Sequence, residues 1–221
     1  VGSYFYSIIS ADNGAKTTSK AKGVENNNSA NYELVVKMNK EGKVNSTADI
    51  NIKNLSDKTW SELVFYFIPN VFTKGHSIET VEGYSEVNNK EIKKDGKKVK
   101  YTLEQDTLKI HLNEKMNKRD KAKVEMSYSF TLPENGSGFL KTNEQFYLAQ
   151  WYPMLATFQN GKWNKEDYID SFKTYHTDFS DYKVEFDIPK GYSFISSADE
   201  DASLDKKEGK VKIGRVREFY I

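Results

Sequence analysis

Apolar residues recur at every second position through most of this chain, and that period limits what it can fold into. Tyr32, Leu34, Val36 and Met38 alternate with polar neighbours, as do Val44, Ser46, Ala48, Ile50 and Ile52. The same spacing returns in Val99, Tyr101 and Leu103, in Leu108, Ile110 and Leu112, and in Ala122, Val124, Met126, Tyr128 and Phe130. It closes with Tyr182, Val184, Phe186 and Ile188. Side chains alternate across a strand, so each run buries one face and wets the other. Leu63 to Ile68 is apolar at every position, as a strand covered on both faces would be. Lys40-Glu41-Gly42-Lys43 and Asp95-Gly96 carry the chemistry of hairpin turns. Asn54 to Lys58 and Pro69-Asn70 end strands, and further short strands are expected over Ser77 to Lys94, Tyr192 to Ser197, Val211 to Ile213 and Val216 to Ile221. Glu166 to Tyr175 is the best helical window, and it is weak. The expected fold is all-β, an antiparallel β-sandwich or curved, saddle-like sheet with under about 10% helix.

Composition agrees and removes several function classes. Aromatic residues make up 14% of the 221 residues and there are four prolines, which favours strands. Lysine plus arginine number 33 against 32 acidic residues, so no global field draws the chain to nucleic acid. There is no cysteine, which excludes disulfides, thiolate metal sites and thiol nucleophiles. Residues 1–10 read as the tail of a signal or anchor, or else as a first strand, and residues 11–31 as a polar linker. That arrangement suggests a domain, residues 32–221, tethered off a membrane surface outside the cytoplasm of a bacterium.

No catalytic set emerges from the residues themselves. H-E-x-x-H, G-x-S-x-G, Walker and dinucleotide fingerprints are all missing. His111 falls on the wet face of its strand. His76 lies in a turn without an acidic neighbour. His176 and Asp178 could share a metal but are more simply a hydrogen-bonded loop pair. Two lysine-rich clusters, around Lys93 to Lys100 and Lys115 to Lys123, are solvated hairpin rims or weak sites for lipid or teichoic acid phosphates. The N-x-S/T triplets at Asn27, Asn45, Asn54 and Asn135 are uninformative in a chain this rich in asparagine. Gln145 to Trp163 stands apart. It is aromatic, irregular and interrupted by Pro153, so it should line a neighbouring domain or a ligand cleft. Trp151 and Tyr152 are expected at the middle of an exposed apolar patch, because Pro153 bars them from a central strand.

Several stretches in order resemble the N-terminal β-domain of the aminopeptidase N family of zinc metallopeptidases. They are the Y-x-L-x-V run at Tyr32, the strand ending Ile52-Lys53-Asn54, the apolar strand to Pro69, and Ile78-Glu79-Thr80-Val81. Val87-Asn88, the strands at Leu108 and Val124, Gln145 to Pro153, Asp181 to Pro189, and Arg215-Val216-Arg217-Glu218-Phe219 complete the series. The resemblance covers residues 32–221. It implies a non-catalytic domain that walls the substrate cleft, with the catalytic domain, its zinc and its H-E-x-x-H following on the same polypeptide. It further implies a residue that binds the free amine of a peptide substrate's N-terminus. The family's spacing to its proline puts that residue at Gln145, ahead of Pro153, with Gln150 as the alternative. No cofactor is expected in this chain itself. The competing reading is a free-standing β-sandwich binding module for sugar or peptide, using Trp151, Tyr152 and Trp163.

Overall fold

A computed structural model describes residues 27–75, 83–134, 139–142, 145–167, 176–192 and 208–216, the last stretch as backbone. The anchor and most of the linker (residues 1–26), His76, the Ile78 to Val81 stretch, most of the helical window and the strand expected up to Ser197 lie outside the described residues, as do residues 217–221.

The alternating runs become strands. β1 (Asn28–Met38) and β2 (Lys43–Asn54) form the first hairpin, its turn carried by Gly42 at φ +78°. β1 starts at Asn28, inside the stretch read as linker, because Asn28 and Ala30 continue its buried row. β3 (Trp60–Tyr66) runs into a 3-10 turn, Ile68–Phe72, with Pro69 in its first turn. Every residue from Leu63 to Phe72 is buried, as the unbroken apolar run required.

β4 (Val87–Lys94) turns at Asp95-Gly96, with φ of +49° and +77°, into β5 (Lys97–Lys98). The chain then changes sheets: β6 (Tyr101–Glu104) pairs with β7 (Thr107–Met116), and β8 (Lys121–Thr131) returns to the first sheet. Four short strands follow: β9 (Phe139–Lys141), β10 (Phe146–Leu148), β11 (Met154–Leu155) and β12 (Thr157–Gln159). They are succeeded by β13 (Lys162–Asn164), β14 (Ser180–Asp187) and β15 (Glu208–Val216). Val211 to Ile213 and Val216, read as separate strands, thus belong to one.

A seven-stranded sheet, β15-β14-β1-β2-β8-β4-β5, and a four-stranded sheet, β11-β3-β7-β6, make up the sandwich. The core comprises the inner rows of the larger sheet, such as Leu34, Ile50 and Val124, together with Leu63, Phe65, Leu108 and Ile110 of the smaller. The fold is all-β as expected, and among the described strands one pair departs from antiparallel order. β1 pairs with β14 in parallel, Tyr32 opposite Tyr182 and Val36 opposite Phe186. A parallel pair needs a long crossover, and here most of the chain supplies it.

Candidate functional site

The irregular segment after Gln150 is part of the core. Trp151 and Tyr152 are each 0% exposed, which corrects the expectation of an aromatic surface patch. Pro153 does keep Trp151 and Tyr152 out of a strand and leaves only the short β11 after it, but the break passes through the inside of the sandwich. Tyr152 packs edge-on against Tyr32 and Tyr182, both at 5.6 Å, and those two stack on each other at 4.8 Å. Backbone groups that a strand would have paired are served by phenols instead. The Tyr128 hydroxyl donates to the Trp151 carbonyl at 2.7 Å, and the Leu155 N–H donates to the Tyr32 hydroxyl at 2.9 Å. Burial pushes both phenols well above their ordinary range, so they stay neutral and keep these roles at any working pH. Asn28 finishes the clamp from the start of β1. Its amide donates to the Ala156 carbonyl at 3.0 Å and its side-chain oxygen accepts from the Phe158 N–H at 3.3 Å. With no exposed surface, Trp151 and Tyr152 cannot stack on a sugar or touch a peptide in this conformation.

The two glutamines part company. Gln150 is 6% exposed and sits at φ +51°, an inward-facing corner residue. Gln145 is exposed at the entry to β10. The Tyr147 hydroxyl donates to Gln145 Oε1 at 2.6 Å, and the two share one side of the strand by alternation. A short turn holds the backbone, the Gln145 N–H donating to Thr142 Oγ1 at 3.0 Å and the Thr142 N–H to the Gln145 carbonyl at 2.8 Å. On the other side of β10, Phe146 packs against Tyr192 at 5.4 Å. The result is a polar oxygen beside a phenol ring at a half-exposed aromatic corner, an arrangement that suits a small cation. An amide oxygen has two lone pairs, and the Tyr147 hydroxyl uses one of them, so the other can accept from an ammonium group.

A second concave feature was not legible in the sequence. The β12–β13 hairpin and the residues after it rise beside the outer face of the four-stranded sheet and leave a groove of about 770 Å³. Glu62, Val64, Thr107 and Lys109 form its floor, and Trp163 stands in its wall. Trp163 leans on Trp60 at 4.8 Å and on Phe158 at 5.2 Å. The wall is held by Lys165, whose ammonium donates to Asp106 Oδ1 at 2.9 Å and lies 4.6 Å from the centre of the Tyr66 ring. The Tyr66 hydroxyl donates to the Asn164 carbonyl at 3.2 Å and accepts from the His176 N–H at 3.0 Å. Burial raises the Tyr66 phenol above its ordinary range, against the pull of the His176 and Glu166 N–H groups. Asp106 comes from the β6–β7 turn, far away in sequence, so no local pattern could have paired it with Lys165.

The remaining candidates fall in ordinary places. His111 is exposed on the outer face, as its parity required. The His176 ring lies 3.5 Å from the Glu166 carboxylate. Among the described residues no three His, Cys, Asp or Glu gather where a metal could be held. The first lysine cluster is offset by its own acids: Glu91 meets Lys98 at 3.3 Å and Lys93 at 3.6 Å, and Lys94 meets Asp95 at 2.6 Å. Lys98, and then Lys93, hold the Glu91 carboxyl below its usual range.

No family model and no curated protein matches the chain. Among solved structures, a two-domain M1 zinc metallopeptidase bound to L-tryptophan superposes with a TM-score of 0.46 at 9% identity, over 88% of this chain and 42% of that one. The M1 zinc metallopeptidase from Deinococcus radiodurans gives a TM-score of 0.44 at 9% identity, over 88% and 41%. The chain therefore spans well under half the length of these structures, and a likeness so slight assigns no family.

Proposed function

We propose that this chain is the non-catalytic N-terminal domain of an extracytoplasmic, membrane-tethered zinc aminopeptidase-like protein, and that Gln145 receives the free amine of the peptide substrate. The observation that carries the reading is the contrast between the two candidate glutamines. Gln145 is exposed with its amide oxygen already oriented by Tyr147, whereas Gln150 is turned into the core. The order and spacing of the strand motifs across residues 32–221 supply the rest of the support. Zinc under this reading belongs to a following catalytic domain. The domain itself binds and orients: an ammonium group donates to Gln145 Oε1, which the Tyr147 hydroxyl holds in place. The free-standing module reading loses Trp151 and Tyr152 as platforms, since both are interior.

The test is kinetic, on the polypeptide that includes the following domain. Gln145→Ala removes a hydrogen bond to a charged group, so kcat/KM for aminoacyl substrates should fall by roughly 10- to 150-fold, or about 1.5–3 kcal/mol. Thermal stability should hold, because the side chain is exposed and makes one local contact. Wild-type kinetics for Gln145→Ala would reject amine recognition at this position.

A further inference from the structure

We infer that the groove over the four-stranded sheet is a binding site for a neutral oligosaccharide. The inference is independent of Gln145, which is not among the groove's lining residues. Three features point to this ligand class. The first is charge: Glu62, Glu104 and Asp167 line the groove with Lys109, Lys162 and Lys165, and Lys165 is itself paired with Asp106, so acids and bases nearly balance and no strong field selects a polyanion or a polycation. The second is chemistry. Carboxylates, the Gln105 amide and lysine ammonium groups are the partners that neighbouring hydroxyls use pairwise, while Trp163 offers a part-exposed aromatic face for the C–H side of a sugar ring.

The third feature is that the wall is built in advance. Lys165 is 7% exposed and Asp106 0%, and their pairing, with Tyr66 beneath, fixes the strip that bears Trp163 and Asp167. A site ordered before the ligand arrives loses less entropy on binding. Its volume, about 770 Å³, is that of a small-molecule site and not of a protein interface. The floor is the face of a sheet, offering side chains and no unpaired backbone row, so it does not invite a peptide to add as a strand.

The experiment is calorimetric titration of the folded chain with cellohexaose, maltohexaose, mannohexaose and chitohexaose, with tryptophan fluorescence followed in parallel. At least one should bind saturably with a Kd of about 1 mM or tighter. Trp163→Ala should weaken that sugar by about tenfold or more through loss of the stacking face. Because Trp163 also packs on Trp60, the exposed pair Glu104→Gln and Gln105→Ala serves as a second reading and should weaken binding without touching the core. Gln145→Ala should bind the sugar as wild type does. Absence of saturable binding by every sugar, equal affinity in the groove variants, or saturable binding of tetra-alanine with none for sugars would each overturn the inference.

Discussion

Lys165 and Asp106 have been taken almost wholly out of water, and they set the energetics of their corner. Burial pushes the Asp106 carboxyl up from its ordinary range, and the neighbouring Lys165 pulls it down without overcoming that cost. A carboxyl with a raised folded pKa contributes stability that is fully present below its unfolded value and lost as pH rises through the folded one. Two outcomes follow at this scale. Lys165→Met leaves a buried carboxylate without its partner and should cost about 3–5 kcal/mol in urea unfolding at neutral pH. Asp106→Asn keeps the shape and removes the charge, so it should cost less. The stability of wild type relative to Asp106→Asn should also improve as pH falls from neutral to the ordinary carboxylate range, about 4. A difference that shrinks or stays flat on acidification would show that the ion pair outweighs burial. Asn54 works by the opposite logic. Fully buried, its amide donates to the Lys58 and Met116 carbonyls and its oxygen accepts from the Ser56 N–H and hydroxyl, so the N-x-S triplet there is a structural knot.

The hairpins separate local from tertiary requirements at the level of elements. Gly96 sits at φ +77°, and a Cβ added there would meet nothing within 4 Å. Gly42 has nearly the same φ, +78°, but its Cβ would come to 3.0 Å from the Phe146 ring. Gly96→Ala should therefore show only the backbone cost of a left-handed non-glycine residue, about 1 kcal/mol. Gly42→Ala should exceed it, and should also disturb Phe146 beside Gln145. Denaturant midpoints with unchanged slopes would test the ordering, and equal losses would refute the contact. The segment Gln150 to Phe158 shows the same division. Its proline and aromatic content correctly kept it out of a long strand. Whether such a break lies on the surface or inside depended on phenols from β1 and β8 reaching its backbone.

For the molecule as a whole, the decisive pairing is β14 beside β1. Inserting a C-terminal strand in parallel against the first one covers an edge that the β1–β2 hairpin would otherwise expose. A chain ending before Ser180 loses β14 and β15, bares β1 along Asn31 to Lys37, and removes Tyr182 from its stack on Tyr32. Such a chain should populate aggregates or an expanded state in size-exclusion chromatography. A monomer with native near-ultraviolet dichroism would show that the remaining strands suffice. The near balance of charge, formally +1, leaves little long-range repulsion to keep such an exposed edge apart.

The sequence alone determined which side of each strand would be dry, because alternation is a property of immediate neighbours and needs no knowledge of the partner. Tyr32, Leu34 and Val36, or Val44, Ala48 and Ile50, could face a core in one parity only, and His111 was put outside by the same rule. Turn chemistry was local too, since positive φ at Asp95-Gly96 follows from those two residues. Tertiary structure decided what pairs with what. Asn28 clamps Phe158, Lys165 finds Asp106, and β14 lies beside β1, each across a long stretch of chain. Gln145 and Trp151, neighbours in one aromatic segment, were likewise sent to opposite environments, one to solvent and one to the core. Contacts of that kind depend on how the whole chain closes, and local periodicity carries no information about closure.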